Sequence, residues 1–323
     1  MSHRTTTARA HPGAFAHPAL FYRNPQEYVT GVRGFVQDAV RAAEPVLVAV
    51  PGPHLAALRR ALAADGAGAA AQDIEFVDMA RLGRNPGRVL AALQEFADRH
   101  PGGCARIVGE PIWPGRSAAE VREATRHEAL INTAFAGRAA SILCPYDTTG
   151  LPAAVVADAR RTHPTLIDAG RPADSPAYAD ATTVCADCDT PLPEPATAAL
   201  VLEYAAGELA RVREHAQAWV RGSALDPTRR DDLVLAVSEA AANSLAHGGG
   251  SGTLRLWAAG TGAVVAEVHD GGRLMDPLAG RRRPPVASGD GGRGLWMIHQ
   301  LCDLVEIRAL DTGLTLRLHM VTG

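Results

Sequence analysis

No lysine occurs in the 323 residues; all 32 basic side chains are arginine. That absence excludes three chemistries. A Walker-type phosphate loop and a eukaryotic-type protein kinase each place a lysine ammonium on nucleotide phosphates, and a Schiff-base enzyme needs a lysine amine. Phosphate recognition in this chain therefore falls to backbone N–H groups and arginine. Tracts of one charge are also missing. The net charge is −3, and only Arg281-Arg282-Arg283 is locally basic, a run expected to lie solvated in a loop. Such a balance points neither to direct contact with nucleic acid nor to a membrane surface. No apolar run approaches the ~18 residues of a membrane helix. Residues 1–16 are polar, without the apolar stretch of a secretory leader, and are expected to be disordered. Five cysteines, Cys104, Cys144, Cys185, Cys188 and Cys302, are odd in number and scattered, the usage expected of a reducing, cytoplasmic compartment.

What is present is first an alternation. Helical spacing over residues 26–43, 54–64, 86–100, 118–134 and 152–162 alternates with short apolar runs at 45–50, 74–77, 105–109 and 140–145. The pattern predicts an α/β domain on a mainly parallel sheet, with an exposed Glu/Arg face on the helix 118–134. Residues 168–196 hold five prolines among small polar residues and read as a linker. Beyond them the order changes. Helices are expected at 198–221 and 227–247, then strands at 252–259 and 262–270. A Gly/Pro/Arg-rich loop over 271–292 leads to a short helix at 294–301. Two closing strands, 304–310 and 314–321, flank the turn Asp311-Thr-Gly313.

Three short motifs in this last part carry chemistry. Along the helix 227–247, Glu239, Asn243 and His247 recur every fourth residue and so share one stripe, between the small residues Ala240, Ala241, Ala242 and Ser244. The strand 262–270 ends in Asp270-Gly271-Gly272, where a carboxylate can accept from an exocyclic amine and a glycine lets a ring approach the backbone. A glycine loop, Gly289-Asp-Gly-Gly292-Arg293-Gly294-Leu295, opens a helix whose free N–H groups suit phosphate, with Arg293 as a guanidinium fork. Taken singly, these are an exposed polar face, a turn and a glycine loop.

In order and spacing the three resemble the N, G1 and G2 boxes of GHKL (Bergerat) ATPases over residues 197–323. Ser238-Glu-Ala-Ala-Ala-Asn-Ser-Leu-Ala-His247 and Gly292-Arg-Gly-Leu-Trp-Met-Ile298 are most similar to the anti-sigma factor serine kinases of the RsbW and SpoIIAB type. The resemblance implies an α/β sandwich binding ATP and Mg²⁺. Asn243 would hold the ion and Glu239 act as general base or water-orienting carboxylate. Asp270, with Gly272, would hold the adenine amine, the backbone of Gly292, Arg293, Gly294 and Leu295 would cradle the phosphates, His247 would lie on the same cofactor-binding stripe, and 276–291 would form a lid. Leu274 departs from the pattern, standing where a second G1 glycine is common.

The N-terminal part resembles the MEDS sensory domain over about residues 14–180, through His17-Pro-Ala-Leu-Phe-Tyr22, Glu110-Pro-Ile-Trp113, the helix 123–135 and Cys144-Pro-Tyr-Asp147. This implies a RecA-like α/β core and small-molecule sensing. After its first apolar run the chain reads Pro51-Gly-Pro-His54, which is no phosphate loop. Ligand contacts are expected among His17, Tyr22, Trp113, His127 and Tyr146; position after a strand favours His54, Trp113 and Tyr146. The alternative is that the aromatics are core and the histidines satisfied locally. Cys185-Ala-Asp-Cys188 has the spacing of half a zinc site, and no second pair follows; His163 and Cys144 could complete it only through the fold.

The expected organisation is a sensory domain at 14–180, a Pro-rich linker at 181–196 and a GHKL domain at 197–323. The expected function is a cytoplasmic regulator, an anti-sigma factor or serine kinase acting on an anti-anti-sigma (STAS) protein, a sigma factor, or both. A non-catalytic ATP-gated binding module is one alternative. An atypical histidine kinase phosphorylated at His215 is another. The helix 198–221 offers a homodimer surface.

Overall fold

The computed structural model describes residues 15–64, 74–260, 262–284 and 292–322. The expected leader lies outside them up to residue 14. The chain forms two compact units, divided between Val184 and Cys185.

The first unit is a seven-stranded sheet. Its elements are β1 (Pro18–Tyr22), α1 (Pro25–Arg41), β2 (Val46–Val50), α2 (Gly52–Ala64), β3 (Ile74–Asp78), α3 (Met79–Leu82), α4 (Val89–Asp98), β4 (Ala105–Gly109), α5 (Ala118–Ala134), β5 (Ala140–Asp147), α6 (Ala153–Thr162), β6 (Thr165–Asp168) and β7 (Arg171–Asp174). Across the sheet the strands run β3-β2-β4-β5-β1-β6-β7, all parallel except β7. Neighbouring residues such as Ile107 and Val108 are both fully buried, because helices cover both faces of a parallel sheet. On one face α1 and α2 pack Tyr28, Val32, Val36 and Leu58 against Leu20, Val48 and Leu143. Polar caps start the helices. Asn24 accepts from the Glu27 N–H before Pro25, and Ser117 and Glu120 close a capping box on α5.

Two expectations are corrected here. The helix 118–134 shows no exposed Glu/Arg face: Glu123, Arg126 and Glu128 are all buried, Arg126 lying 3.7 Å from Glu123. The stretch read as linker begins at the last residue of β6 and contains β7 and a helix, α7 (Ala181–Cys188). Strand β7 is exposed throughout and follows from its antiparallel pairing with β6, not from an apolar pattern.

The second unit continues with β8 (Leu200–Ala205), α8 (Leu209–Val220), α9 (Pro227–His247), β9 (Ser251–Ala259), β10 (Ala263–Asp270), α10 (Arg293–Leu301), β11 (Leu304–Leu310) and β12 (Gly313–Val321). Its sheet is antiparallel in the order β11-β12-β10-β9-β8. One face carries Leu202, Leu254, Val268, Ile307 and Leu318 against Val212, Val237 and Ile298 of the helices. The other face carries charge: Glu267 accepts from Arg317 and Arg255, and Glu306 pairs with Arg308 and His319. The single helix expected at 198–221 is instead a strand, a turn and a shorter helix. Arg281, expected to be solvated, is 2% exposed, while Arg282 and Arg283 face solvent. Among the described residues no helix is long and apolar enough to cross a membrane.

Candidate functional site

In the second unit, α9 begins at an Asp226 cap with Pro227 in its first turn and runs to His247. Its inner positions, Leu233, Val237 and Ala240, are buried, which leaves Glu239 and Asn243 half-buried along the flank. Among the described residues neither side chain makes a hydrogen bond to the protein. Gly294, in the first turn of α10, lies against both. A Cβ there would stand 3.0 Å from Glu239 Oε2 and 3.2 Å from Asn243 Nδ2. The same turn starts at Gly292, whose φ of 81° is readily adopted by glycine, and Arg293 is exposed. Leu295 faces Gly280, where a Cβ would come within 2.6 Å of the leucine Cβ, so the chain beyond β10 is seated against α10.

Strand β10 delivers Asp270 to the helix-covered face through its two-residue alternation. The carboxylate is 7% exposed, and Oδ1 accepts the Gly272 N–H at 2.7 Å. Gly248, just beyond α9, touches it so closely that a Cβ would lie 2.5 Å from Oδ1. Gly272 packs against Gly248 Cα and His247 O. The Gly271 N–H donates to Gly248 O, which fastens the strand end to the helix end. Glu239, Asn243, Asp270, Gly272 and Gly294 are thus set around the ends of α9, β10 and α10. His247 is exposed at the last turn of α9. Leu274 packs at the margin of the core. Of the expected lid, residues 276–284 form turns held by Asp276. Residues 285–291, with Gly289 and Gly291, lie outside the described residues.

Residues 202–320 match the family model of the histidine kinase-like ATPase domain, and residues 16–164 match that of MEDS, the methanogen/methylotroph, DcmR sensory domain. The chain is a MEDS domain joined to a histidine kinase-like ATPase domain. No curated protein matches it. That pairing makes it an ATP-binding signalling regulator, and the residues present fit the nucleotide. Among the described residues the buried carboxylate has one oxygen unengaged, which suits an amine, and a glycine-only approach leaves room beside two half-buried polar side chains without a hydrogen-bond partner. The helix start at Gly292 offers N–H groups to phosphate.

In the MEDS domain, β2 leads through α2 toward one edge of the sheet, whereas β4 leads through α5 toward the other. Ligands of such sheets bind beyond the strand ends at this reversal. His54 follows β2 and Glu110 follows β4; His54 Nδ1 meets Glu110 Oε2 at 2.8 Å across the gap. Tyr28 donates to Glu110 at 3.1 Å, and Tyr22, at the end of β1, lies 3.4 Å from it. Burial raises the Glu110 carboxyl above its ordinary value, against the opposing bonds from His54, Tyr28 and Tyr22. Burial acts to lower His54, but its bond to Glu110 and the nearby carboxylate charges outweigh it, and the imidazole is raised.

Of the residues expected to contact a ligand, Tyr22 and His54 belong to this cluster. Trp113 is half-buried beneath the Arg116 guanidinium, 4.3 Å from its ring. His127 is buried within α5. His17 and Tyr146 lie instead with His163 around a second, interior cluster. Glu110 and Tyr28 are not among the ligand contacts expected from the sequence. A carboxylate directly after an apolar strand was the available signal for Glu110, and nothing in the local sequence marks Tyr28. Cys185 and Cys188 are buried on α7 and belong to no His/Cys/Asp/Glu cluster among the described residues. His215 is half-buried on α8, its Nδ1 bonded to Arg211 O.

Proposed function

We propose that the protein is a cytoplasmic protein kinase that phosphorylates a serine or threonine of an anti-anti-sigma (STAS) partner, and so controls a sigma factor. The MEDS domain reports a small molecule to it. The observation that carries this reading is the placement of Glu239 and Asn243 on one flank of α9 beside Gly294, without hydrogen bonds to the protein among the described residues. Asn243 would hold Mg²⁺ among the phosphate oxygens, with the charge neutralisation an ion supplies there. Glu239 would take the hydroxyl proton of the partner. Asp270, beside Gly272, would select adenine through its amine, and the helix start at Gly292, Arg293, Gly294 and Leu295 would bind phosphate in place of the missing lysine. His247, exposed at the end of α9, would lie at the nucleotide's margin.

The test combines calorimetry with a transfer assay on Mg·ATP. Asn243→Ala, folded by circular dichroism, should lose the Mg²⁺-dependent part of ATP affinity. Glu239→Gln should still bind ATP while phosphate transfer to cognate STAS proteins falls by at least about 100-fold. ATP binding without transfer to any of them, in a protein whose partner binding still depends on nucleotide, would replace the kinase by an ATP-gated binding module. Acid-labile phosphate on the chain itself would replace it by a histidine kinase.

A further inference from the structure

Four potential metal-ligating side chains converge inside the first unit, away from the His54–Glu110 crevice. His17 immediately precedes β1, Cys144 lies in β5, His163 stands between α6 and β6, and Glu128 comes from α5. The strands β5, β1 and β6 are adjacent, which brings the first three together, and α5 lays Glu128 over them. All four are buried, at 0–2% exposure. His17 Nε2 is 3.1 Å and His163 Nε2 is 3.3 Å from Glu128 Oε2. Cys144 Sγ is 3.4 Å from both Glu128 Oε2 and His17 Nε2. One ligand atom from each of the four lies within 4.8 Å of the others.

The hydrogens are committed elsewhere. Asn132 Nδ2 donates to Thr162 O at 2.8 Å, which orients its amide so that Oδ1 accepts from His17 Nδ1 at 3.0 Å. His163 Nδ1 lies 2.8 Å from Ala159 O, which can only accept. Each neutral imidazole therefore carries its hydrogen on Nδ1 and turns the Nε2 lone pair inward. Two lone pairs then face a carboxylate with only the thiol hydrogen among them. Among the described residues, His163 Nε2 and Glu128 Oε1 have no hydrogen-bond partner. Four Lewis bases packed together without enough protons repel one another unless a cation sits between them.

We propose that His17 Nε2, Glu128, Cys144 Sγ and His163 Nε2 form a closed tetrahedral site for one divalent transition ion of the zinc class. Bonds of about 2.0–2.2 Å to nitrogen and oxygen and about 2.3 Å to sulfur give ligand–ligand edges of about 3.3–3.7 Å. The four short separations fall at or just below that range. Two imidazoles, one sulfur and one carboxylate suit zinc and its neighbours and not calcium or magnesium, which take oxygen ligands. The ion replaces the thiol proton, which leaves to solvent. Thiolate and carboxylate then cancel the dipositive charge, so the buried centre is neutral. The Nδ1–H bonds to Asn132 and Ala159 are the outer contacts that orient metal-bound histidines. With every ligand from the chain and no face open to solvent, the ion ties β1, β5, β6 and α5 together.

The test uses the full-length chain, freed of any histidine tag. Elemental analysis should find about one zinc per chain after growth with added zinc. Replacement by Co²⁺ should give the visible bands of tetrahedral cobalt and a near-ultraviolet thiolate-to-cobalt band. Cys144→Ser should remove the thiolate band, and Asn132→Leu should weaken the ion by about 10–100-fold. The Cys185→Ser/Cys188→Ser double variant should keep the full spectrum. The wild-type cobalt spectrum decides even if a ligand variant fails to fold. A folded wild type that neither retains an ion nor takes up cobalt overturns the proposal. So does a cobalt spectrum with no thiolate band, or one lost with Cys185 and Cys188 in place of Cys144.

Discussion

Glu110 sets the protonation of its surroundings from a position 1% exposed to solvent. Both it and His54 are raised above their ordinary values, so each holds its proton more tightly folded than unfolded. Stability from such groups is fully present below the unfolded pKa and lost as pH rises through the folded one. For His54 the loss starts above about pH 6.5. The urea midpoint of the first unit should therefore decline as pH rises above about 6.5, and His54→Gln should flatten that decline. At the other site, Asp270→Asn puts an amide where a carboxylate would accept the adenine amine. It should weaken ATP by about 10–100-fold, near the 1.5–3 kcal/mol of a charge-assisted hydrogen bond, with binding of GTP unimproved. Calorimetry with both nucleotides measures it. Gly294→Ala brings a methyl to 3.0 Å from Glu239 Oε2, so phosphate transfer should fall by more than the change in unfolding midpoint accounts for.

At the scale of elements, the nucleotide-facing helices hold one another. Arg229, in the first turn of α9, donates to Leu301 O at the end of α10 and pairs with Asp303, which also accepts from the Val321 N–H. Arg229→Ala should destabilise the second unit by about 2 kcal/mol in urea titration, from loss of charge-assisted bonds at a half-buried site. Elements with a strong period were legible in the sequence. The helix carrying Glu239 and Asn243 and strands β2, β3, β4 and β5 lie close to where apolar spacing puts them, whereas β1 and β6 are absent from that pattern. Strand β8 was not legible as a strand. Leu200, Leu202 and Tyr204 do alternate inward against Val201 and Glu203, but Ala, Leu and Glu favour helix, and pairing with β9 overrides them. Strand β7 and helix α7 hid among prolines and small polar residues. The His54–Glu110 contact and the interior cluster join positions far apart in the chain, and no local pattern encodes that meeting.

At the scale of the molecule, each unit has its own apolar core and its own binding chemistry. Calorimetric unfolding should show two transitions. Mg·ATP at 100 times its Kd should raise only the one belonging to the second unit, by a stabilisation of about 2.7 kcal/mol. A strong zinc chelator should lower only the other. One strand order has a consequence in time. Strand β1 is made first, yet it lies between β5 and β6, whose residues emerge on the order of a hundred residues later. At roughly 5–20 residues per second, Leu20 and Phe21 wait for many seconds with no partner strand on either side, while β2, β3 and β4 can already pair. The newborn chain is therefore most prone to aggregate before residue 168 has left the ribosome, and its N-terminal strand is the last of the interior strands to be threaded home.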